Sequence, residues 1–100
     1  MDEIAAVPGI DVLLIGPFDL GISIGHPMLD GTPGPELRSA IEQIHQAAIR
    51  NKKFSGIVGM GGADAQQYAK KGFHMINASA DMLALPVTLS AHLKQAKASL

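Results

Sequence analysis

The hydrophobic pattern along the chain predicts three short strands. Ile10–Gly16 is a continuous apolar run rather than an alternating one, as expected of a parallel strand that is covered on both faces. Phe54–Met60 is predicted as the second strand, and the segment from Phe73 to about Ala78 as the third.

Apolar residues at helical spacing predict the first two helices. Met1–Val7 has the character of a helix end, and Pro35–Asn51 that of an amphipathic helix of about four turns. The second helix begins at a proline, which is favoured at a first helical position, and has Glu36 in its first turn. From the end of the first strand to the start of the second helix, the chain is dense in glycine and proline. This segment, Gly16–Gly34, is predicted to be a long loop.

Two further helices follow the second and third strands. A brief one over Ala63–Lys71 is expected to end with Gly72 at the C′ position. The last helix is expected to begin properly at Pro86, with Asp81–Leu85 as a separate turn before it, because proline interrupts a helix interior.

The alternation of strand and helix, three times over, predicts an α/β fold with a parallel sheet and right-handed crossovers. Three parallel strands alone leave both sheet edges open and two faces to cover. We therefore expect residues 1–100 to be one partial domain that belongs to a larger fold, with no second domain.

Composition excludes several classes of protein. The formal net charge of −1 argues against binding to nucleic acid or an anionic membrane surface, and the lack of cysteine excludes disulfides and thiolate metal sites. No run approaches the roughly 18 apolar residues of a membrane span, and the first residues lack the basic start of a signal peptide. A soluble, cytoplasmic protein is expected.

One acidic residue follows the first strand at a position where α/β barrels place their chemistry. Asp19 comes just after Gly16-Pro17, at the predicted carboxyl end of the strand. It can serve as a turn or helix cap, or pair with Arg38 or a lysine. It can also bind a hard cation such as magnesium, which often takes only one or two protein carboxylates. The residues alone leave these alternatives open.

Glycines near two strand ends suggest anion binding. After Gly16-Pro17, the amides of Phe18 and Asp19 can point together into the mouth of the fold and hold a carboxylate. "GMGGAD" at Gly59–Asp64 can bind a phosphate, or it can be a tight turn with Asp64 as N-cap of the next helix.

The four histidines have no spacing typical of metal ligands. His45 and His92 fall within predicted helices and are interpreted as ordinary surface or boundary residues. His26 lies in the long predicted loop, where anchoring of the loop is favoured over catalysis.

The segment "GIDVLLIGPFDLGISIGHP" at Gly9–Pro27 resembles the HpcH/HpaI aldolase family, which are class II, metal-dependent aldolases that act on 2-oxo acids. "KFSGIV", "AKKGF" and "ASAD" continue the resemblance with less specific motifs. It implies that residues 1–100 are the last three βα units of a TIM (β/α)8 barrel of the pyruvate-aldolase type.

The resemblance also implies a function and a site. The family cleaves or forms a C–C bond in 2-oxo-3-deoxy or 4-hydroxy-2-oxo acids through a metal-bound pyruvate enolate, with Mg, Mn or Co as the divalent metal ion. Asp19 matches the second of two metal-binding acids, and Gly16, Pro17, Phe18 and Asp19 match the segment that holds the pyruvyl carboxylate. The implied partners are a small 2-oxo acid such as pyruvate, an aldehyde, and further copies of the chain in a homo-oligomer.

Departures from the family pattern limit the inference. Phe18 stands where a small residue is common, and Asn77-Ala78 where Val-Gly is more frequent. The family's first metal-binding Glu, its catalytic His and its carbonyl-binding Arg have no counterpart here, so no catalytic residue is assigned and the chain alone is expected to be inactive. Two alternatives remain: a non-catalytic remnant that acts through self-association or partner binding, and a small anion-binding module using Gly59–Gly62.

Overall fold

The structure is a computed structural model that describes residues 1–100, and it contains three strands and five helices. In chain order these are α1 (Asp2–Ala5), β1 (Val12–Ile15), α2 (Pro17–Ser23), α3 (Pro35–Arg50), β2 (Phe54–Val58), α4 (Gly62–Lys70), β3 (Met75–Asn77) and α5 (Asp81–Lys97). All three predicted strands are present, each shorter at its ends than the apolar run that predicted it.

The strands form one parallel sheet in the order β1-β2-β3. Leu13 is paired with Ser55 in the β1–β2 register, and Ile57 with Ile76 in the β2–β3 register. Since neighbouring strands run parallel, each is reached by a helical crossover, as the strand–helix alternation predicted.

The core lies between one face of the sheet and α3. Leu37 and Ile41 of α3 pack with Ile15 and Ile57 of the strands in a buried apolar cluster that also includes Phe73. This face holds most of the apolar area that the chain removes from water, which is the main favourable contribution to folding.

The opposite face of the sheet is uncovered. Leu14 and Phe54 are each 57% exposed and Met75 is 46% exposed, although all three lie in the sheet. The expectation that β1 is covered on both faces is therefore wrong for this chain. Inward-facing strand residues of a (β/α)8 barrel carry this apolar character, because they fill the barrel interior.

Part of the predicted long loop is helical. Pro17–Ser23 form α2, so the loop prediction for Gly16–Gly34 is wrong over its first third. Gly16 is the N-cap and Pro17 the first helical residue, which is the arrangement that Gly34 and Pro35 make at the start of α3. The density of glycine concealed a helix start.

The last helix is continuous from Asp81 to Lys97, with Pro86 inside it. The predicted break at Pro86 is wrong: a proline in the second turn removes only one hydrogen bond, and the helix continues past it. No residue of α5 is buried. No helix of the chain is long and apolar enough to cross a membrane.

A bidentate ion pair joins α1 to the end of α3. Arg50 donates from Nε and Nη2 to the two carboxylate oxygens of Asp2, at 3.1 and 2.9 Å. The hydrogen bond from Arg50 lowers the pKa of Asp2 below its usual value. The pair is exposed, so it orients α1 more than it stabilises the fold.

Helices α3 and α4 end in the same Schellman motif but with different residues at the C′ position. Lys52 donates its N–H to Ile49 and Gly72 donates to Ala69, while the following residue in each case bonds one carbonyl further back. Gly72 has φ of +91°, as predicted for a C′ glycine, whereas Lys52 adopts φ of +57° with a full side chain. Lys52 therefore bears the strain of a left-handed backbone that Gly72 avoids.

We predict that Lys52→Gly raises the free energy of unfolding by about 0.5–1 kcal/mol and that Gly72→Lys lowers it by a similar amount. A Cβ on Gly72 would come no closer than 3.9 Å to His45, so the loss reports on φ and not on a clash. Urea unfolding measures both. Lys53→Gly, which removes the same charge next door without relieving a positive φ, is the matched control; an equal gain there would contradict the assignment of strain to Lys52.

Candidate active site at the carboxyl ends of the strands

The carboxyl termini of all three parallel strands lie at one end of the sheet. The segment Gly16–Asp19 follows β1, Gly59–Gly62 follows β2, and Ala78–Ala80 follows β3. Each predicted site residue therefore lies at this end of the sheet, where (β/α)8 barrels place their active sites.

Asp19 is exposed, without a partner, and folded back toward the end of β1. It is the third residue of α2, yet its carboxylate accepts no hydrogen bond from the start of that helix and pairs with no Arg or Lys. A Cβ on Gly16 would lie 2.9 Å from Oδ2 of Asp19, so the absence of a side chain at Gly16 makes room for the carboxylate. Neither the cap nor the ion pair with Arg38 that the sequence left open is formed.

The backbone beside Asp19 offers two free donors. The first amide of α2 to bond back is that of Leu20, which donates to the carbonyl of Gly16 at 2.9 Å. Pro17 has no N–H, and the amides of Phe18 and Asp19 donate to no group within the chain. Free N–H groups next to an unpaired carboxylate can bind an anion and a cation side by side.

Phe18 does not cover this carboxylate. Its ring is 39% exposed and lines a narrow cleft with Met28, Val58 and Met60 instead.

For a divalent cation, this site offers one carboxylate ligand, that of Asp19. No group of three or more His, Cys, Asp and Glu side chains comes together in the chain. A hard cation that takes one or two protein carboxylates and completes its shell with substrate oxygens and water can use Asp19 alone from this segment.

The Gly59–Asp64 turn is held by contacts within the chain. Gly59 donates its N–H to Oδ1 of Asn77 at 2.8 Å, and a Cβ there would lie 2.7 Å from the carbonyl oxygen of Asn77. Asp64 accepts from the N–H of Met60 at 2.9 Å. The prediction of Asp64 as N-cap is wrong by position, because Gly61 is the N-cap and Asp64 is the third helical residue. These contacts account for the glycine and the acid without a bound phosphate.

The structure places His26 in a loop and His45 in the core. His26 lies 3.7 Å from Glu36 through Nδ1 and Oε2, which fits the predicted anchoring of the loop on α3. The interpretation of His45 as a surface or boundary residue is wrong: it is 4% exposed, with Nδ1 2.8 Å from the Ser55 hydroxyl and its ring stacked 4.2 Å from that of Phe73.

Ser55 joins two imidazoles at the amino end of the sheet, opposite Asp19. Its hydroxyl is also 3.3 Å from Nδ1 of His74, and its N–H donates to the same nitrogen at 3.2 Å. Sequence reasoning missed this cluster, although His45 continues the apolar face of α3 four residues after Ile41. At this end of a barrel, polar contacts of this kind stabilise the fold.

Together, these features define a class of fold: a parallel α/β segment of the kind that builds (β/α)8 barrels, with an unpaired acid where its first strand ends. The family model described as HpcH/HpaI aldolase/citrate lyase matches residues 1–85, and the chain belongs to this family.

Two relatives of the chain are named as aldolases. The chain is 36% identical over 83 residues to a hydroxypyruvate/pyruvate aldolase of Paraburkholderia phytofirmans, covering 83% of this chain and 31% of the relative. It is 35% identical over 82 residues to a 5-keto-4-deoxy-D-glucarate aldolase of Escherichia fergusonii, covering 82% of this chain and 31% of the relative. The chain thus spans about a third of the length of these relatives.

Solved structures agree with this assignment. A crystal structure of an HpcH/HpaI aldolase/citrate lyase family protein from Burkholderia cenocepacia superposes with a TM-score of 0.88 at 32% identity, over 96% of this chain and 37% of that one. Macrophomate synthase superposes with a TM-score of 0.81 at 30% identity, over 98% of this chain and 34% of that one. The three βα units are therefore the C-terminal part of a TIM barrel of the pyruvate-aldolase type.

We predict that Ser55→Ala lowers the free energy of unfolding by about 1–3 kcal/mol, because it removes the hydroxyl that bonds the buried ring of His45. Urea unfolding followed by circular dichroism measures the change. Ser39→Ala, which removes an exposed hydroxyl from α3, is the control and should change stability by less than about 0.5 kcal/mol. Equal losses in the two variants would show that the buried hydrogen bond contributes nothing particular.

Proposed function

We propose that this chain is the carboxyl-terminal part of a class II aldolase-type lyase, and that it contributes one metal ligand and part of the substrate-binding loop. The observation that carries the proposal is the unpaired carboxylate of Asp19 at the end of β1, in a chain that belongs to an aldolase family. The reaction is cleavage or formation of a C–C bond in a 2-oxo-3-deoxy or 4-hydroxy-2-oxo acid, with pyruvate and an aldehyde as the smaller partners.

Asp19 would hold a divalent metal ion, with Mg, Mn or Co as the candidates. When bound, such an ion stabilises the negative charge that develops on the keto oxygen of a 2-oxo acid, an effect worth several kcal/mol of barrier. Gly16 keeps the space in front of the carboxylate open, since any side chain there would meet Oδ2 of Asp19.

The start of α2 would orient the substrate. The free amides of Phe18 and Asp19 donate toward the carboxylate of the 2-oxo acid, and Pro17, which is buried, fixes the backbone that presents them. A substrate held at its carboxylate end leaves its distal carbons to segments outside this chain. The chain alone is therefore proposed to bind without turning over substrate.

A second candidate function is favoured by the uncovered surfaces. Leu14, Phe54 and Met75 expose one apolar sheet face, and α5 exposes large apolar residues such as Leu89. A non-catalytic remnant would associate through these surfaces with itself or with another chain. Light scattering distinguishes the two functions when it is combined with metal binding: association without a metal site would favour the remnant.

We predict that the chain binds manganese in the presence of pyruvate, and that Asp19→Asn weakens this binding more than about tenfold because the unpaired carboxylate after β1 loses its charge. Water-proton relaxation measures bound manganese directly and needs no catalytic turnover. Gly16→Ala should weaken binding as well, since the added methyl displaces the Asp19 carboxylate.

The control for this experiment is Asp11→Asn, at the amino end of the same strand, where the same charge is lost away from the rim. It should bind manganese as the unaltered chain does. Manganese binding that survives Asp19→Asn, or that falls equally in Asp11→Asn, would remove Asp19 from the metal site.

A further inference from the structure

A polar cleft of about 380 Å³ lies between α3 and α4, on the covered side of the sheet. Its walls come from the loop Gly31–Pro33, from Arg38 on α3, and from Asp64, Gln67, Tyr68 and Lys71 at α4 and its C-cap. Asp19 takes no part in it. Every wall belongs to this chain, and the volume is within the range of small-molecule sites.

Tyr68 is a buried polar side chain without a partner in this cleft. The residue is only 7% exposed, packed in the core against the ring of Phe73 at a centroid distance of 5.4 Å. Its hydroxyl makes no hydrogen bond within the chain. Since every fully buried polar side-chain atom has a partner, the hydroxyl reaches solvent, and Tyr68 lines this cleft. A bound group with an acceptor atom there would satisfy the hydroxyl.

The Tyr68 hydroxyl is a donor at neutral pH. Burial raises the pKa of Tyr68 above its usual value, and the nearby Asp64 carboxylate raises it further, while Arg38 opposes the shift.

The cleft has more positive charge than its own acid neutralises. Arg38 and Lys71 form no salt bridge, and the Nζ of Lys71 lies 5.6 Å from the centroid of the Tyr68 ring. Asp64 is already bonded to the N–H of Met60. Arg38 and Lys71 have no acidic partner, and the Tyr68 hydroxyl has no acceptor. The one carboxylate of the cleft, Asp64, already accepts a hydrogen bond. This set of donors favours a ligand that has only acceptor atoms.

We propose that the cleft between α3 and α4 is a binding site for a small oxyanion, a carboxylate or a phosphate, held by Arg38, Lys71 and the hydroxyl of Tyr68. The site does not include Asp19, and it does not depend on the aldolase function. Gln67 and Thr32 lie at its edge and add neutral donors.

The test is a titration of the metal-free chain with inorganic phosphate and, separately, with malonate, at constant ionic strength set with chloride. Amide resonances of Thr32 and Gln67 in a ¹⁵N–¹H spectrum report binding. We expect saturable shifts with at least one anion, and the anion that saturates identifies the phosphate or the carboxylate as the bound group. Arg38→Gln and Lys71→Gln should each weaken binding about tenfold, as expected for a charge-assisted hydrogen bond.

Two further variants serve as a control and as an independent test of the proposed site. Lys70→Gln loses the same charge as Lys71→Gln one residue away, outside the cleft, and should bind normally. Tyr68→Phe keeps the buried ring, removes only the hydroxyl, and should weaken binding even if a charge variant fails to fold. Shifts that do not saturate with either anion, an effect of Lys70→Gln equal to that of Lys71→Gln, or loss of binding in Asp19→Asn would each overturn the proposal.

Discussion

The packing of α3 across β1 and β2 is the constraint on which the other features of this chain depend. Two parallel strands cannot be joined by a tight turn, so the chain must cross over, and the crossover must bury an apolar face. The buried side chains of α3, Leu37 and Ile41, meet Ile15 and Ile57 and hold the two strands in one register. That register places Gly16 and Gly59 at the carboxyl ends of the strands. It places Ser55 next to His45 at the amino ends.

Polar groups are hydrogen-bonded to different degrees at the amino and carboxyl ends of the sheet. At the amino end, Ser55 is fully buried and bonds to both His45 and His74. At the carboxyl end, the carboxylate of Asp19 and the amides beside it have no partner. The unpaired carboxylate and amides thus lie at the end where (β/α)8 barrels place their active sites, and the Ser55 cluster lies at the end where they place stabilising contacts.

Local signals in the sequence predicted the elements well, and they were insufficient where contacts distant in sequence decide the outcome. The strands, α3 and the C′ role of Gly72 follow from apolar runs and capping residues. The start of α2 carries the same glycine–proline–acid signal as α3, but the glycines after it favoured a loop. The burial of His45 depends on Ser55 and Phe73, which lie in segments that reach it only through folding. Asp19 follows the end of β1, as the sequence predicts, but its lack of a partner is visible only in three dimensions.

The two proposed sites differ in what they require from outside the chain. The cleft between α3 and α4 has all its walls here, because neighbouring helices on the covered side of the sheet form it. The proposed metal site uses one acid of this chain, Asp19, and it borders a strand whose other edge and inner face are open. Completing a barrel on that open side would bury Leu14 and Met75 and bring further ligands toward Asp19, while it would leave Tyr68 and Arg38 in their present surroundings. Metal affinity is therefore expected to rise on completion of the barrel, whereas the proposed oxyanion ligands at the cleft all belong to this chain.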